Sequence, residues 1–314
     1  MKKKVVIALG GNALEKKGLP PTAESQLTVI KETASYIADV IESGCDVIIC
    51  HGNGPQVGRI LLASESSAEV TPAMPFDVCG AMSQGYIGYH MQQAVGAALK
   101  ARGIHKPVVT LLTQVMVDKN DDAFKTLTKP IGPFYTEAEA KKLETEKGYV
   151  MKEDSGKGYR RVVASPLPVK IVELASIQEL VNNGTVVISC GGGGVPVVED
   201  GQGYMGVAAV IDKDFASEKL AEDLDADMLV ILTEVEKVCI NFNKPNQEEI
   251  GKTDSATLGK LAEEGHFAPG SMLPKVKAAM KFADSKTGRT AIISSLDKAK
   301  DALAGTAGTI VNNA

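Results

Sequence analysis

ISCGGGGVPVV, residues 188–198, reads as a buried strand that runs directly into four glycines. Each glycine costs roughly 0.5–1 kcal/mol in conformational entropy relative to alanine. Such a run is kept where side chains would obstruct whatever lies beside the backbone. Two other stretches end the same way. ALGGN (8–12) closes an apolar run on a glycine pair. GCDVIICHGNGPQVG (44–58) repeats the plan of GTVVISCGGGGVPVV (184–198): a glycine cap, a strand ending in cysteine, then a glycine cluster. Loops that follow parallel strands collect at the carboxyl edge of a sheet, where ligands bind in open α/β folds.

The rest of the chain fits that reading. KVVIAL (4–9), CDVIIC (45–50), KPVVTLLTQV (106–115), TVVIS (185–189), MLVILT (228–233) and TAIIS (290–294) are continuous apolar runs. Runs of this kind mark strands covered on both faces. Helices are expected between them over 25–43, 77–101, 176–184, 212–224 and 272–284. In the first, Leu27, Ile30, Ala34, Ile37 and Ile41 fall at helical spacing, and Gly44 is a natural cap. The alternation predicts an α/β fold, an open and mostly parallel sheet with helices on both faces. Residues 117–165 break the rhythm with Lys, Glu, Asp, Gly and Pro. A long structureless loop is unusual inside a compact domain, so this insertion is expected to be a small protruding subdomain.

Composition narrows the function. The 314 residues carry 34 basic and 39 acidic side chains, a net charge of −5. That balance argues against a nucleic acid or an anionic membrane as partner. No apolar run approaches the length of about 18 residues needed to span a bilayer. The N-terminal MKKKVVIALGG enters a glycine turn too early for a signal peptide and reads as a first strand. The five cysteines, at 45, 50, 79, 190 and 239, show no Cys-x-x-Cys spacing. Neither a disulfide framework nor a metal site is expected, and a reducing cytoplasm is the default setting. Cys50 and Cys190 end strands and are expected to pack in the interior.

Glycine loops expose backbone N–H groups that bind anions, and a helix N-terminus adds about half a positive charge. Three such loops on one edge suggest a phosphate or carboxylate site. The GxxxxGK[ST] phosphate loop is absent. Gly52-x-Gly54-x-x-x-Gly58 approaches a dinucleotide fingerprint. The acidic strand end expected about 20 residues later is replaced by the turn-like AEVTPAMPFD (68–77), which makes a nicotinamide enzyme the lesser alternative. Phosphoryl transfer needs cations around the moving group. Lys129 lies in the insertion, and Lys213 and Lys275 lie in the first turns of expected helices. The helix dipole disfavours a lysine there, and a bound anion would offset the cost. Asp212 reads as an N-cap, and Asp214 as either a dipole partner or an orienting group for the lysines.

ALGGNA (8–13), HGNGPQVG (51–58), PIGPFYTEAEA (130–140), SCGGGGVPVV (189–198), AVIDKDFASEKLA (209–221) and HFAPGSMLPK (266–275) together resemble the carbamate kinases, a branch of the amino-acid kinase family. The likeness runs from about Lys4 to Val311. It implies an open, mainly parallel sheet of about eight strands between helices, with a protruding subdomain. Residues 1–210 would form a carbamate-binding lobe that includes the 117–165 lid, and 211–314 a nucleotide-binding lobe. The reaction implied is reversible transfer between carbamoyl phosphate and ADP, giving ATP and carbamate, which falls apart to ammonia and carbon dioxide. Mg2+ would accompany the nucleotide, the protein would be a homodimer, and the setting would be arginine or agmatine fermentation.

The likeness also carries residue roles. Lys129, Lys213, Asp214 and Lys275 would be catalytic. Gly10, Gly11, Asn12, Gly52, Asn53, Gly54, Gly191 and Gly192 would line the substrate site. Thr233, Val238, Gly270, Met272 and Lys275 would hold the nucleotide. Acetylglutamate kinases carry a lysine where this chain has Ala8, and Lys213 is the expected substitute. The acceptor oxygen is already anionic, so no general base is required. His51 sits beside the second loop, where a direct role depends on hydrogen-bond reach.

Overall fold

The computed structural model describes residues 2–154 and 156–313. The strands in chain order are β1 (Lys4–Leu9), β2 (Asp46–His51), β3 (Val108–Thr110), β4 (Gln114–Val117), β5 (Lys129–Tyr135), β6 (Met151–Glu153), β7 (Tyr159–Val163), β8 (Pro168–Ile171), β9 (Val186–Ile188), β10 (Val195–Glu199), β11 (Tyr204–Gly206), β12 (Met228–Thr233), β13 (Val238–Ile240), β14 (Glu248–Ile250), β15 (Lys252–Asp254), β16 (Thr290–Ser295) and β17 (Thr309–Asn312). The helices are α1 (Ala23–Glu42), α2 (Gly54–Ser66), α3 (Phe76–Ala101), α4 (Glu137–Lys147), α5 (Leu174–Asn182), α6 (Lys213–Asp223), α7 (Ser255–Glu263), α8 (Met272–Asp284) and α9 (Ala299–Leu303).

An eight-stranded sheet runs β15-β17-β16-β12-β1-β2-β9-β3. Its pairings are parallel except β16 with β17. β1 lies inside this sheet, and alternation along it feeds two cores. Val6 and Ala8 join Leu220 of α6 and Phe282 of α8 on one face. Val5, Ile7 and Leu9 join Ile37 of α1 and Met91 of α3 on the other. Burial on both faces is why these strands read as unbroken apolar runs rather than alternating ones. Among the described residues, no helix is long and apolar enough to cross a membrane.

The chain between β3 and β12 builds two further layers. β11-β10-β4-β8 forms a second sheet. β5-β7-β6, with α4 beside it, forms the subdomain expected within 117–165. One expectation needs correction here. KPVVTLLTQV is not one strand: β3 belongs to the main sheet and β4 to the second. Gln84 of α3 causes the switch. Its Nε2 donates to the Thr113 carbonyl (3.1 Å), and its Oε1 accepts the Thr113 N–H (2.9 Å), so a side chain replaces a neighbouring strand.

A helix that was not among those expected spans 54–66. Asn53 precedes the helix, Pro55 lies in its first turn, and Val57 and Leu61 are buried. Its glycines obscure the helical pattern. One of them, Gly58, is demanded by tertiary packing: a Cβ there would stand 3.0 Å from the Gly132 Cα on β5.

Candidate active site

The carboxyl ends of β1 and β12 open onto a cavity of about 830 Å3. The turn after β1 supplies Gly10, Gly11 and Asn12. This turn is pinned to its neighbour strand: the Gly10 N–H donates to Leu232 O (3.0 Å), and Asn12 Nδ2 donates to Thr233 O (3.1 Å). Gly10 is required by space, because a Cβ would lie 2.8 Å from Asn12 Oδ1 and 3.0 Å from Leu232 O. Thr233, Met272, Lys213 and Lys275 complete the expected residues that line the cavity.

Two of the predicted lysines converge. Lys213 Nζ lies 2.7 Å from Asp214 Oδ1, and Lys275 Nζ lies 3.0 Å from Asp214 Oδ2. Asp214 is 2% exposed, while the lysine side chains retain 14% and 12% at the cavity. One buried carboxylate therefore aims two amines from different helices at one space. Burial lowers the Lys213 pKa, against the pull of Asp214. Burial by itself would raise the Asp214 pKa, but Lys213 and Lys275 outweigh it and hold the carboxyl below its ordinary value. Charge, not proton donation, is what this arrangement offers an anion.

Lys129 stands apart from that cluster. At the start of β5, its amine meets Asp212 Oδ2 at 2.7 Å, and it is not among the cavity-lining residues. Asp212 serves two ends at once, since its Oδ1 accepts the Asp214 N–H (2.9 Å) as the N-cap of α6. Reading Asp212 as a cap accounts for one oxygen; the second was the available signal for a distant cation.

The other glycines sit behind the cavity wall. Gly52 packs under the Lys213 stem, its Cβ position 3.4 Å from Lys213 Cδ. Asn53 donates from Nδ2 to Ser83 Oγ (2.8 Å), and Gly54 opens α2. Pro55, not this trio, reaches the cavity lining. Gly191 and Gly192 also lie off the cavity, pressed against His51 and Asn53. Val238 is fully buried, with its N–H on Thr309 Oγ1 at 2.8 Å. Its chain neighbours Lys237 and Cys239 line the cavity instead, as the two-residue alternation of extended chain requires. Gly270 is likewise off the cavity, while Ala268 and Ser271 line it. Cavity residues the sequence reading passed over include Glu15 and His266. They come from loops with no periodic signal. Cys50 and Cys190 are fully buried, as expected.

Comparison with known proteins places the chain in a family. The model of the amino acid kinase family matches residues 3–294. A carbamate kinase of Clostridium perfringens is 58% identical over 309 residues, which cover 98% of each chain. Carbamate kinase 2 of Staphylococcus aureus is 50% identical over 314 residues, covering 99% of this chain and 100% of the relative. The solved carbamate kinase of Giardia lamblia bound to AMP-PNP is 44% identical with a TM-score of 0.94, covering 100% of this chain and 99% of that one.

Proposed function

The chain belongs to the amino acid kinase family, and on that footing we propose that it is a carbamate kinase, transferring a phosphoryl group between carbamoyl phosphate and ADP. One observation carries the reading. Two ammonium groups, held by the single buried carboxylate of Asp214, face a cavity whose opposite turn is glycine backbone. That is machinery for charge rather than for proton transfer.

In the ATP-forming direction, a β-phosphate oxygen of ADP attacks the phosphorus of carbamoyl phosphate. The bond from phosphorus to the carbamoyl oxygen breaks, and carbamate leaves with the electron pair. Negative charge on the three equatorial oxygens is met by Lys213 and Lys275, in the place where an arginine or lysine clamp acts in other phosphoryl transfers. The N–H groups of Gly11 and Asn12 have no acceptor among the described residues, which leaves them for the migrating group. Carbamate is small and planar and has no side chain to recognise, so backbone amides and Asn12 suit it. Both nucleophiles are anionic, and no general base is called for. Mg2+ enters as part of the nucleotide substrate, bound by phosphate oxygens and water.

Residues 1–210, which include 117–165, take the carbamate end in this reading, and 211–314 take the nucleotide. Lys129 acts through Asp212, fixing the α6 N-terminus from which Lys213 projects. The protein works as a homodimer in the cytoplasm. The outward face of α3 supports the dimer, since it exposes Val78, Met82 and Tyr89 at helical spacing. Breakdown of arginine or agmatine is the setting that the likeness to carbamate kinases suggests. The test is a coupled assay of ATP formation from carbamoyl phosphate, ADP and Mg2+. Turnover is expected, and none from folded protein would reject the reading. Analytical ultracentrifugation tests the dimer.

A further inference from the structure

His51 ends β2 and is 1% exposed. Its Nδ1 lies 2.8 Å from the carbonyl oxygen of Gly52. A carbonyl only accepts, so Nδ1 carries the proton and Nε2 is left as the bare nitrogen of a neutral ring. The opposite edge of the ring is backed by the four-glycine run. A Cβ on Gly191 would stand 2.6 Å from His51 Nε2 and 2.7 Å from Cε1. Gly191 has no positive φ, so space rather than backbone conformation demands glycine there. Gly192 does the same for Asn53, with a Cβ position 2.1 Å from Asn53 Nδ2. Ser83 holds the Asn53 amide from the other side, at 2.8 Å.

These contacts clamp the peptide between Gly52 and Asn53. In a trans peptide, the C=O and the next N–H point in opposite directions within one plane. With the Gly52 carbonyl held inward by His51, the Asn53 N–H is turned outward. No acceptor among the described residues takes the N–H of Asn53 or Gly54, and both stand at the N-terminus of α2. The Lys213 stem crosses Gly52, 3.4 Å from its Cβ position.

We propose that His51 is a positioning residue: by fixing the Gly52–Asn53 peptide under the stem of Lys213, it sets that amine against the carbamoyl end of the substrate. This rests on the carbamate kinase reading. In this role His51 neither gives nor takes a proton during turnover. Gly191 and Gly192 are needed because any side chain at 191 or 192 would push His51 or Asn53 out of place. Burial also draws the imidazole down to about 4, helped by Lys213 and opposed by the Gly52 hydrogen bond, so the neutral ring persists across the working range.

The test pairs two variants with one measurement on the wild type. In His51→Asn, the side-chain amide nitrogen takes the place of Nδ1 and keeps the donor; His51→Leu removes it. His51→Leu is expected to lose roughly 10²-fold in kcat/KM for carbamoyl phosphate, as a displaced reacting group would. The KM for ADP should stay unchanged, and His51→Asn should recover most of the loss. Equal loss in both variants would overturn the proposal in favour of proton transfer by the ring. Wild-type activity in His51→Leu would overturn it outright. Nitrogen-15 NMR of histidine-labelled wild type reads the tautomer without any turnover. A proton on Nδ1 from pH 5 to 8 is expected, and a proton on Nε2 or a charged ring would refute the clamp even if neither variant folds. If the wild type fails to turn over carbamoyl phosphate while the Nδ1–H tautomer is present, the assigned reaction falls and the clamp stands.

Discussion

Replacing Asp214 with asparagine tests the centre of the site. The change keeps the shape of the side chain and removes the charge that two amines share. Asp214 is 2% exposed, and Lys213 and Lys275 reach it at 2.7 and 3.0 Å. Removing one partner of a buried ion pair costs about 3–5 kcal/mol, because the remaining charge stays buried without compensation. Both lysines retain some access to the cavity, so the lower end, about 3 kcal/mol, is expected here. At roughly 2–4 °C per kcal/mol, the melting temperature should fall by about 6–12 °C. Thermal melts with and without ADP measure it. The polyphosphate supplies the missing negative charge, so ADP should raise the melting temperature of Asp214→Asn more than that of the wild type. Adding Lys213→Met to Asp214→Asn should restore stability, because it removes one of the stranded charges, and a double-mutant cycle reads that coupling. A melting temperature within a degree of wild type, together with wild-type kcat, would show that Asp214 does not organise the lysines.

Three other outcomes follow from the same contacts. Lys213→Met should lower kcat by roughly 10²–10³, the usual cost of losing one charge-stabilising donor. Its melting temperature should stay close to wild type, since burial already disfavours the Lys213 charge; assay and melt together check this. His51 sits at about 4 in the fold against an ordinary 6.5. The unfolded chain therefore takes up the proton first, and stability should fall as pH drops from 6.5 towards 4, by up to about 3 kcal/mol. Urea denaturation across that window should show the slope in wild type and lack it in His51→Asn. Glu65 of α2 accepts from the Tyr149 hydroxyl and pairs with Lys147 at 2.7 Å and Arg161 at 3.4 Å, all from the subdomain. Glu65→Gln should destabilise by about 1–3 kcal/mol and speed proteolysis within 117–165; unchanged cleavage would show that this carboxylate does not fasten the subdomain.

The main sheet was legible because its strands are buried on both faces. KVVIAL, CDVIIC, TVVIS, MLVILT and TAIIS are uniform apolar runs, and that uniformity is itself the record of two covering layers. The insertion was legible because its composition cannot sustain such a strand. Lys213 and Lys275 were legible as charges out of place at helix starts, with Asp214 beside Lys213 and the turn at Gly10 and Gly11 opposite. Pairings across long sequence separations were not legible. No local signal joins Lys129 to Asp212, fits Gly191 against His51, or sends Gln84 to break one apolar run into strands of two sheets. Alternation also turned Val238 inward while its neighbours faced the cavity. Periodicity and propensity report the environment of each residue along its own segment. Which segments then touch is set by strand order and register, and those exist only once the sheet has closed around its core.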